Sequence, residues 1–125
     1  MKTTKRFGWI RDLPDQRDRK FLTTRLLSRA PLLPFSVNLR PNAGPIYDQG
    51  NLGSCTAQAI AAAIVYEEKK QKLPEIFPSR LFIYYNERVI EGSVSSDSGA
   101  QIRDGIKSVV NRGVCPETEF GYEHA

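Results

Sequence analysis

The chain has 125 residues, of which 40% are hydrophobic and 26% are charged. This length and composition fit one globular domain or part of one, and they argue against collagen-like, coiled-coil and wholly disordered chains. The net charge is +4, but residues 1–40 carry ten basic and three acidic side chains, so a basic segment precedes a mildly acidic body.

The basic segment at the start of the chain has two interpretations. It could be an arm that binds nucleic acid, because lysine and arginine neutralise phosphate groups. Three aspartates, Asp12, Asp15 and Asp18, interrupt its positive charge. We therefore favour an extension that packs on the acidic body, with no nucleic-acid partner. Prolines break any long helix in this segment, so residues 1–36 are predicted to be an irregular N-terminal extension.

The first helix follows a series of short predicted elements. Residues 37–40 alternate in polarity and predict a short strand, and residues 41–45 predict a turn rich in proline and glycine. The helix is predicted to begin after Ser54, a favourable N-cap, with Cys55 in its first turn. Its apolar stripe recurs at spacings of three and four residues and consists of Ala57, Ile60, Ala61, Ile64 and Val65.

Two further helices are predicted on either side of a polar loop at residues 92–99. The earlier one begins at Pro78 and Ser79, and the later one ends at Gly113, where a glycine commonly terminates a helix. The expected apolar face of the earlier helix consists of Leu81, Phe82, Tyr85, Val89 and Ile90. That of the later helix consists of Ile102, Ile106, Val109 and Val110.

Cysteine and histidine are scarce in this sequence. The chain contains Cys55, Cys115 and the single histidine His124, which allow at most one disulfide and too few ligands for a zinc site. We therefore expect no metal and no other cofactor, and Cys115 is expected to pack in the core. No run approaches 18 apolar residues, so no membrane span is expected. The basic start is not followed by the apolar core of a signal peptide, and a reducing, cytoplasmic setting is the default expectation.

Cys55 carries the strongest indication of chemistry. The exposed N–H groups and the positive end of the dipole at a helix start both favour a thiolate. Gln49, six residues upstream in a loop with two glycines, offers a neutral amide donor of the kind that an oxyanion hole requires, and the backbone N–H of Cys55 could be the second donor. The alternative is that Cys55 is only a small buried residue at a helix start.

Residues 49–57 resemble the nucleophile motif of papain-like cysteine peptidases, in which a Gln-Gly pair precedes Gly-Ser-Cys. Further segments resemble that family in the same order along the chain: residues 37–40, 45–50, 79–81, 97–100 and 113–122. The resemblance implies an α+β papain-like fold, of which residues 37–125 supply mainly the helical lobe and the β-barrel lobe is missing.

The resemblance also implies roles for individual residues. Cys55 would be the nucleophile and Gln49 the oxyanion donor, while Gly53, Ser98 and Gly99 would bind substrate, with backbone hydrogen bonds from Gly99 to an extended peptide. The substrate would be a peptide or protein. Residues 1–36 stand where relatives carry a pro-segment or extension, and their surplus of positive charge would pair with the acidic body if they lie along the cleft.

The sequence also departs from the family pattern. The base histidine and its orienting asparagine come from the later half of the family fold, and His124 is not expected to serve as the base. The isolated lobe is therefore expected to be inactive, with the second lobe on another chain or lost. Leu52 and Ser96 occupy positions where secreted relatives pair cysteines, which agrees with a reducing compartment. The alternative function is a non-catalytic peptide- or protein-interaction module derived from the same lobe.

Overall fold

The computed structural model describes residues 7–18 and 34–122, and within these ranges it contains three α helices. They are α1 (Cys55–Lys70), α2 (Arg80–Glu91) and α3 (Ile102–Arg112), and a short 3-10 turn at Arg40–Asn42 precedes them. Two short strands, β1 (Trp9–Ile10) and β2 (Ala100–Gln101), pair in parallel, with Trp9 opposite Ala100. In the described part of the chain, no helix has the length and apolar character needed to cross a bilayer.

Helix α1 is the centre of the core, and its predicted apolar stripe is confirmed. Ala57, Ile60, Ala61 and Val65 are buried, and Ile64 packs against them from the edge. Small alanine side chains let the neighbouring elements approach closely, and alanine is also the strongest helix former. The remaining buried residues of this cluster are Ile83, Tyr84 and Ala100, which α2 and β2 contribute.

The apolar faces predicted for the other two helices are wrong in part. In α2, Tyr85 and Ile90 are 48% and 42% exposed. In α3, Val110 is 76% exposed. The buried residues are instead Ile83, Tyr84, Asn86 and Glu87 in α2 and Asp104, Gly105 and Ser108 in α3.

The buried faces of α2 and α3 carry polar side chains because other segments supply their hydrogen-bond partners. Asn86 accepts a hydrogen bond from Arg112 Nη1 at 2.7 Å and donates to the backbone oxygen of Phe82 at 2.9 Å. Gly105 lets the two helices approach, because a Cβ atom there would stand 2.2 Å from Glu87 Oε1. A pattern built on hydrophobicity cannot register a buried face of this kind.

The helix ends follow the predicted signals more closely than the strand does. The Ser79 hydroxyl accepts the N–H of Phe82 at 3.1 Å and caps α2, and Gly113 ends α3 with a positive φ of 74°. The strand predicted at residues 37–40 is wrong: no described residue pairs with this stretch as a strand, and Arg40–Asn42 forms a 3-10 turn with proline in its first turn. Cys115, predicted to lie in the core, is only half-buried.

Residues 7–18 lie on the body, and the observed contacts join acidic residues of this segment to a basic residue of the body. The carboxylate of Asp12 accepts the backbone N–H of Arg103 at 3.0 Å, in the first turn of α3. Asp18 forms two hydrogen bonds of 2.9 Å with the Arg103 guanidinium. Acidic residues of the basic segment therefore bind a basic residue of the acidic body, while the pairing of the surplus positive charge with that body stays a prediction.

Candidate active site

Cys55 is the first residue of α1, and its thiol is free and half-buried. Ser54 occupies the N-cap position, as predicted, but its side chain makes no capping hydrogen bond. Its hydroxyl lies 2.8 Å from the hydroxyl of Tyr122 and accepts a hydrogen bond from Gln58 Nε2 at 3.2 Å. The residue that precedes the thiol is therefore held by side chains from two other parts of the site.

Gln49 lies in the loop that leads to Cys55. Its Nε2 donates to the backbone oxygen of Leu52 at 2.9 Å, and the backbone N–H of Leu52 donates to the backbone oxygen of Gln49 at 3.3 Å. The Tyr122 hydroxyl donates to the same Gln49 oxygen at 2.7 Å. Because this hydroxyl also contacts Ser54, one phenol joins the backbone of the expected oxyanion donor to the residue next to the expected nucleophile.

Arg80 fixes the aromatic side of this loop. Its guanidinium lies over the rings of Tyr47 and Tyr122, at 4.6 and 4.3 Å from their centroids, and this is a favourable cation–π geometry. It also forms an ion pair with Glu117 at 2.9 Å. Burial opposes ionisation of Glu117, but hydrogen bonds from Arg80 and from the backbone N–H of Tyr122 outweigh it, so the pKa of Glu117 is lowered.

The segments around Gly53 and Gly99, two residues predicted to bind substrate, are linked by the side chains of Asp97 and Tyr84. The N–H of Gly53 donates to both carboxylate oxygens of Asp97, at 3.0 Å each. The N–H of Gly99 donates to the Tyr84 hydroxyl at 3.2 Å, and that hydroxyl donates to Asp97. Burial and the bond to the Asp97 carboxylate raise the pKa of Tyr84, so this phenol stays protonated. Ser98, the third predicted residue, is exposed and donates to the Gly99 oxygen at 3.3 Å.

An extended stretch of the chain passes over these two glycines. The backbone oxygen of Gly8 accepts the N–H of Ala100 at 2.8 Å, just before β1 and β2 pair. A Cβ atom on Gly8 would stand 1.8 Å from the Gly53 oxygen, and a Cβ atom on Gly99 would stand 2.0 Å from the Gly8 oxygen. The approach is therefore possible only because Gly8 and Gly99 have no side chain.

Sequence reasoning missed the side chains that hold the site together, namely Asp97, Tyr84, Arg80 and Tyr122. The only signal for them lay in the segments that resemble the family, residues 79–81, 97–100 and 113–122. Among the described residues, no three histidine, cysteine or acidic side chains are grouped so that they could hold a metal ion. His124 lies outside the described residues.

Comparisons with known proteins agree with this geometry. No protein-family model matches the sequence. The chain is 44% identical to an uncharacterized peptidase C1-like protein of Acanthamoeba polyphaga mimivirus, over 96% of this chain and 43% of that protein. The crystal structure of xylellain, a cysteine protease from Xylella fastidiosa, matches with a TM-score of 0.80 and 48% identity, over 99% of this chain and 46% of xylellain.

The chain thus spans less than half the length of both relatives. The matched part contains the three helices, the loop of Gln49 and the start of α1 at Cys55. These matches support a papain-like cysteine peptidase family for the chain, which corresponds to the helical lobe of that fold.

Proposed function

We propose that this chain supplies the nucleophile lobe of a cysteine-type peptidase, with Cys55 as the nucleophile and Gln49 as an oxyanion donor. One observation carries most weight: an extended backbone at Gly8 already lies over Gly53 and Gly99 and bonds to Ala100. A cleft that accepts a main chain in this way fits a substrate that is itself an extended peptide.

In the proposed reaction, the thiolate sulfur of Cys55 forms a bond to the carbonyl carbon of the peptide. The electron pair of the C=O double bond moves to oxygen, where the Gln49 amide and the backbone N–H of Cys55 would stabilise the negative charge. The pair returns as the C–N bond breaks, and the leaving amine takes the proton that the base first removed from the thiol. Water then releases the acyl group, and the thiol is regenerated.

The base of this reaction is not among the described residues. In the papain-like family a histidine oriented by an asparagine performs this step, and both residues come from the second lobe. We therefore infer that the 125-residue chain alone hydrolyses peptides poorly or not at all, and that a second lobe, on the same or another polypeptide, completes the site.

The two cysteines provide a direct test because both are free and both are half-buried. Iodoacetamide at pH 6 should alkylate Cys55 faster than Cys115, since alkylation requires a thiolate and only Cys55 lies at a helix start. Mass spectrometry of the two peptides measures both rates in one sample, so Cys115 is the internal control. Equal rates, or faster modification of Cys115, would contradict the assignment of Cys55.

A turnover assay tests the inferred need for a second lobe. The 125-residue chain should show no hydrolysis of an unstructured peptide above that of its Cys55→Ala variant. Hydrolysis by the chain that Cys55→Ala abolishes would show that the lobe is complete by itself.

The second candidate is a non-catalytic interaction module that keeps the shape of the lobe. Apolar side chains exposed on α3, among them Ile106 and Val110, favour it because such surfaces commonly contact other proteins. Under this hypothesis, a second lobe that carries the histidine and the asparagine does not restore hydrolysis when it is added to the chain. The peptidase hypothesis expects hydrolysis in that mixture and its loss in Cys55→Ala, so the mixing experiment separates the two candidates.

A further inference from the structure

We propose that Asp97 is a positioning residue that fixes the nucleophile loop against the loop that binds substrate. This inference rests on the proposed function, because that function makes Cys55 and Gly99 site residues. The carboxylate accepts the N–H of Gly53, two residues before Cys55, through both of its oxygens at 3.0 Å. Through the Tyr84 hydroxyl it is also linked to the N–H of Gly99.

The position of Asp97 is set by helix α2. Tyr84, in the middle of α2, is fully buried, and its ring lies 4.2 Å from the guanidinium carbon of Arg88. Arg88 Nη1 also donates to the backbone oxygens of Ser96 and Val94, at 3.0 and 3.4 Å. The loop that carries Asp97 is thus attached to α2 immediately before Asp97 is reached. Hydrogen bonds to an ionised acceptor are stronger than neutral ones, so this link is well suited to hold two loops in register.

The link through Asp97 holds the amides of Gly53 and Gly99, and these two residues lie where the extended backbone at Gly8 crosses the site. Gly8 contacts both Gly53 and Gly99. The separation of these two loops therefore sets the width of the gap through which a peptide main chain passes. A Cβ atom on Gly53 would stand 3.0 Å from Asp97 Oδ1 and 3.4 Å from the Cα of Gly8, so a larger residue there would require these neighbours to move by a few tenths of an ångström.

The link between the two loops is not covalent. Leu52 precedes Gly53 and Ser96 precedes Asp97, and neither neighbour is a cysteine. A link of this kind persists in the presence of reductants, and it depends on the charge and length of one side chain.

Amide hydrogen exchange on the full chain tests the proposal. In Asp97→Ala, the amides of Gly53 and Gly99 should exchange roughly 10- to 100-fold faster. Gly53 loses its hydrogen bond to the carboxylate, and Gly99 is left bonded to a Tyr84 hydroxyl that the carboxylate no longer holds in place. The amides of Ala61 and Val65, in the core part of α1, should be unchanged. Asp97→Asn retains an acceptor oxygen and should restore part of the protection. Ser95→Ala, an exposed change in the same loop, is the matched control.

The contact of the extended backbone gives a readout that a local loss of hydrogen bonds at Asp97 would not change. The N–H of Ala100 donates to the Gly8 oxygen at 2.8 Å. If Asp97 sets the gap, the Ala100 amide should exchange faster in Asp97→Ala well below the unfolding temperature, and only partly so in Asp97→Asn. Tyr84→Phe removes the hydrogen bonds of this hydroxyl to Gly99 and to Asp97 but leaves the carboxylate as the acceptor of the Gly53 N–H, so the Gly99 amide should exchange faster while Gly53 remains protected.

The proposal is overturned if Gly53 and Gly99 keep their protection in Asp97→Ala, or if every amide of α1 loses protection equally. Should Asp97→Ala not fold, the comparison of Asp97→Asn with Tyr84→Phe decides: unchanged exchange of Gly53 in the first and of Gly99 in the second would overturn it. Equal alkylation of Cys55 and Cys115 would contradict the peptidase assignment and leave these exchange results unaffected. The two failures are therefore distinguishable.

Discussion

The Oε2 atom of Glu87 accepts a hydrogen bond of 2.8 Å from the hydroxyl of Thr56, which joins the middle of α2 to the first turn of α1. Glu87 is fully buried, and its second oxygen has no hydrogen-bond partner in the described structure. Gly105 makes room for that oxygen, because a Cβ atom there would clash with it. A buried carboxyl group with one partner is costly to ionise.

This burial gives a prediction for the dependence of stability on pH. Burial, reinforced by Glu91 and Asp104 and opposed by the bond from Thr56, raises the pKa of Glu87 to about 8 from 4.5. Between these values the folded chain binds a proton that the unfolded chain has lost, so stability is highest at acidic pH and falls as the pH rises towards 8. For this group alone, the thermal midpoint should fall by roughly 4 °C per pH unit.

The variant Glu87→Gln should remove most of that slope, because its side chain is neutral in both states. Thermal unfolding at several values between pH 5 and pH 8 measures the effect. Glu119→Gln, an exposed change of the same chemistry, should keep the slope of the parent chain. A parent chain whose midpoint does not fall over this range would show that Glu87 is already ionised in the folded state.

Gly8→Ala should displace residues 7–18 from the cleft. The new methyl group would stand 1.8 Å from the backbone oxygen of Gly53, a distance that no real contact has, so the strand pair of β1 and β2 must separate. We expect faster hydrogen exchange of the Ala100 amide, which loses the Gly8 oxygen as its acceptor, and faster proteolysis within residues 7–18. Gly121→Ala, where the nearest atom is 3.7 Å from the new carbon, should change neither signal.

Arg103→Ala should weaken the attachment of the same segment by a different route. It removes the two hydrogen bonds to Asp18, whose pKa is lowered by its bond to Arg103. Because these groups are exposed, we expect only a two- to five-fold increase in proteolysis, roughly the effect of one surface ion pair. Added salt should reduce the difference from the parent chain. Arg17→Ala, which breaks a pair within the segment itself, should have a smaller effect.

Tyr122→Phe should loosen the loop of Gln49 while leaving the ring over Arg80 in place. The change removes the hydroxyl that bridges the Gln49 oxygen and Ser54. Urea denaturation should show a loss of about 1 kcal/mol in the free energy of unfolding, the usual effect of one internal hydrogen bond. Tyr85→Phe, on the exposed face of α2, should be within error of the parent chain. An unchanged stability in Tyr122→Phe would argue against the bridge.

The parts of the fold that the sequence predicts are those that depend on nearby residues. The apolar stripe of α1 and the glycine at the end of α3 are local patterns, and both are found in the structure. The faces of α2 and α3 were predicted less well, because Asn86 and Glu87 are buried with partners from other helices. No periodicity in one segment contains that information.

The candidate site likewise contains residues that the sequence predicts and residues that it does not. Cys55, Gln49 and Gly99 could be proposed from one short motif and the order of the segments that resemble the family. Asp97 and Tyr122 could not, because each acts on a residue that is distant in sequence and becomes close only after folding. The pairing of β1 with β2 was unpredictable for the same reason, since strands of two residues leave no alternation to detect.

The bond between Asp12 and the backbone of Arg103 joins residues 91 positions apart, which has a consequence for biosynthesis. Asp12 is added to the growing chain long before Arg103, and at 5–20 residues per second the interval is roughly 5–20 s. During this time residues 7–18 have no finished α3 to bind, and the nascent nucleophile loop is not yet covered. The segment can take its place over the cleft only after most of the lobe has emerged.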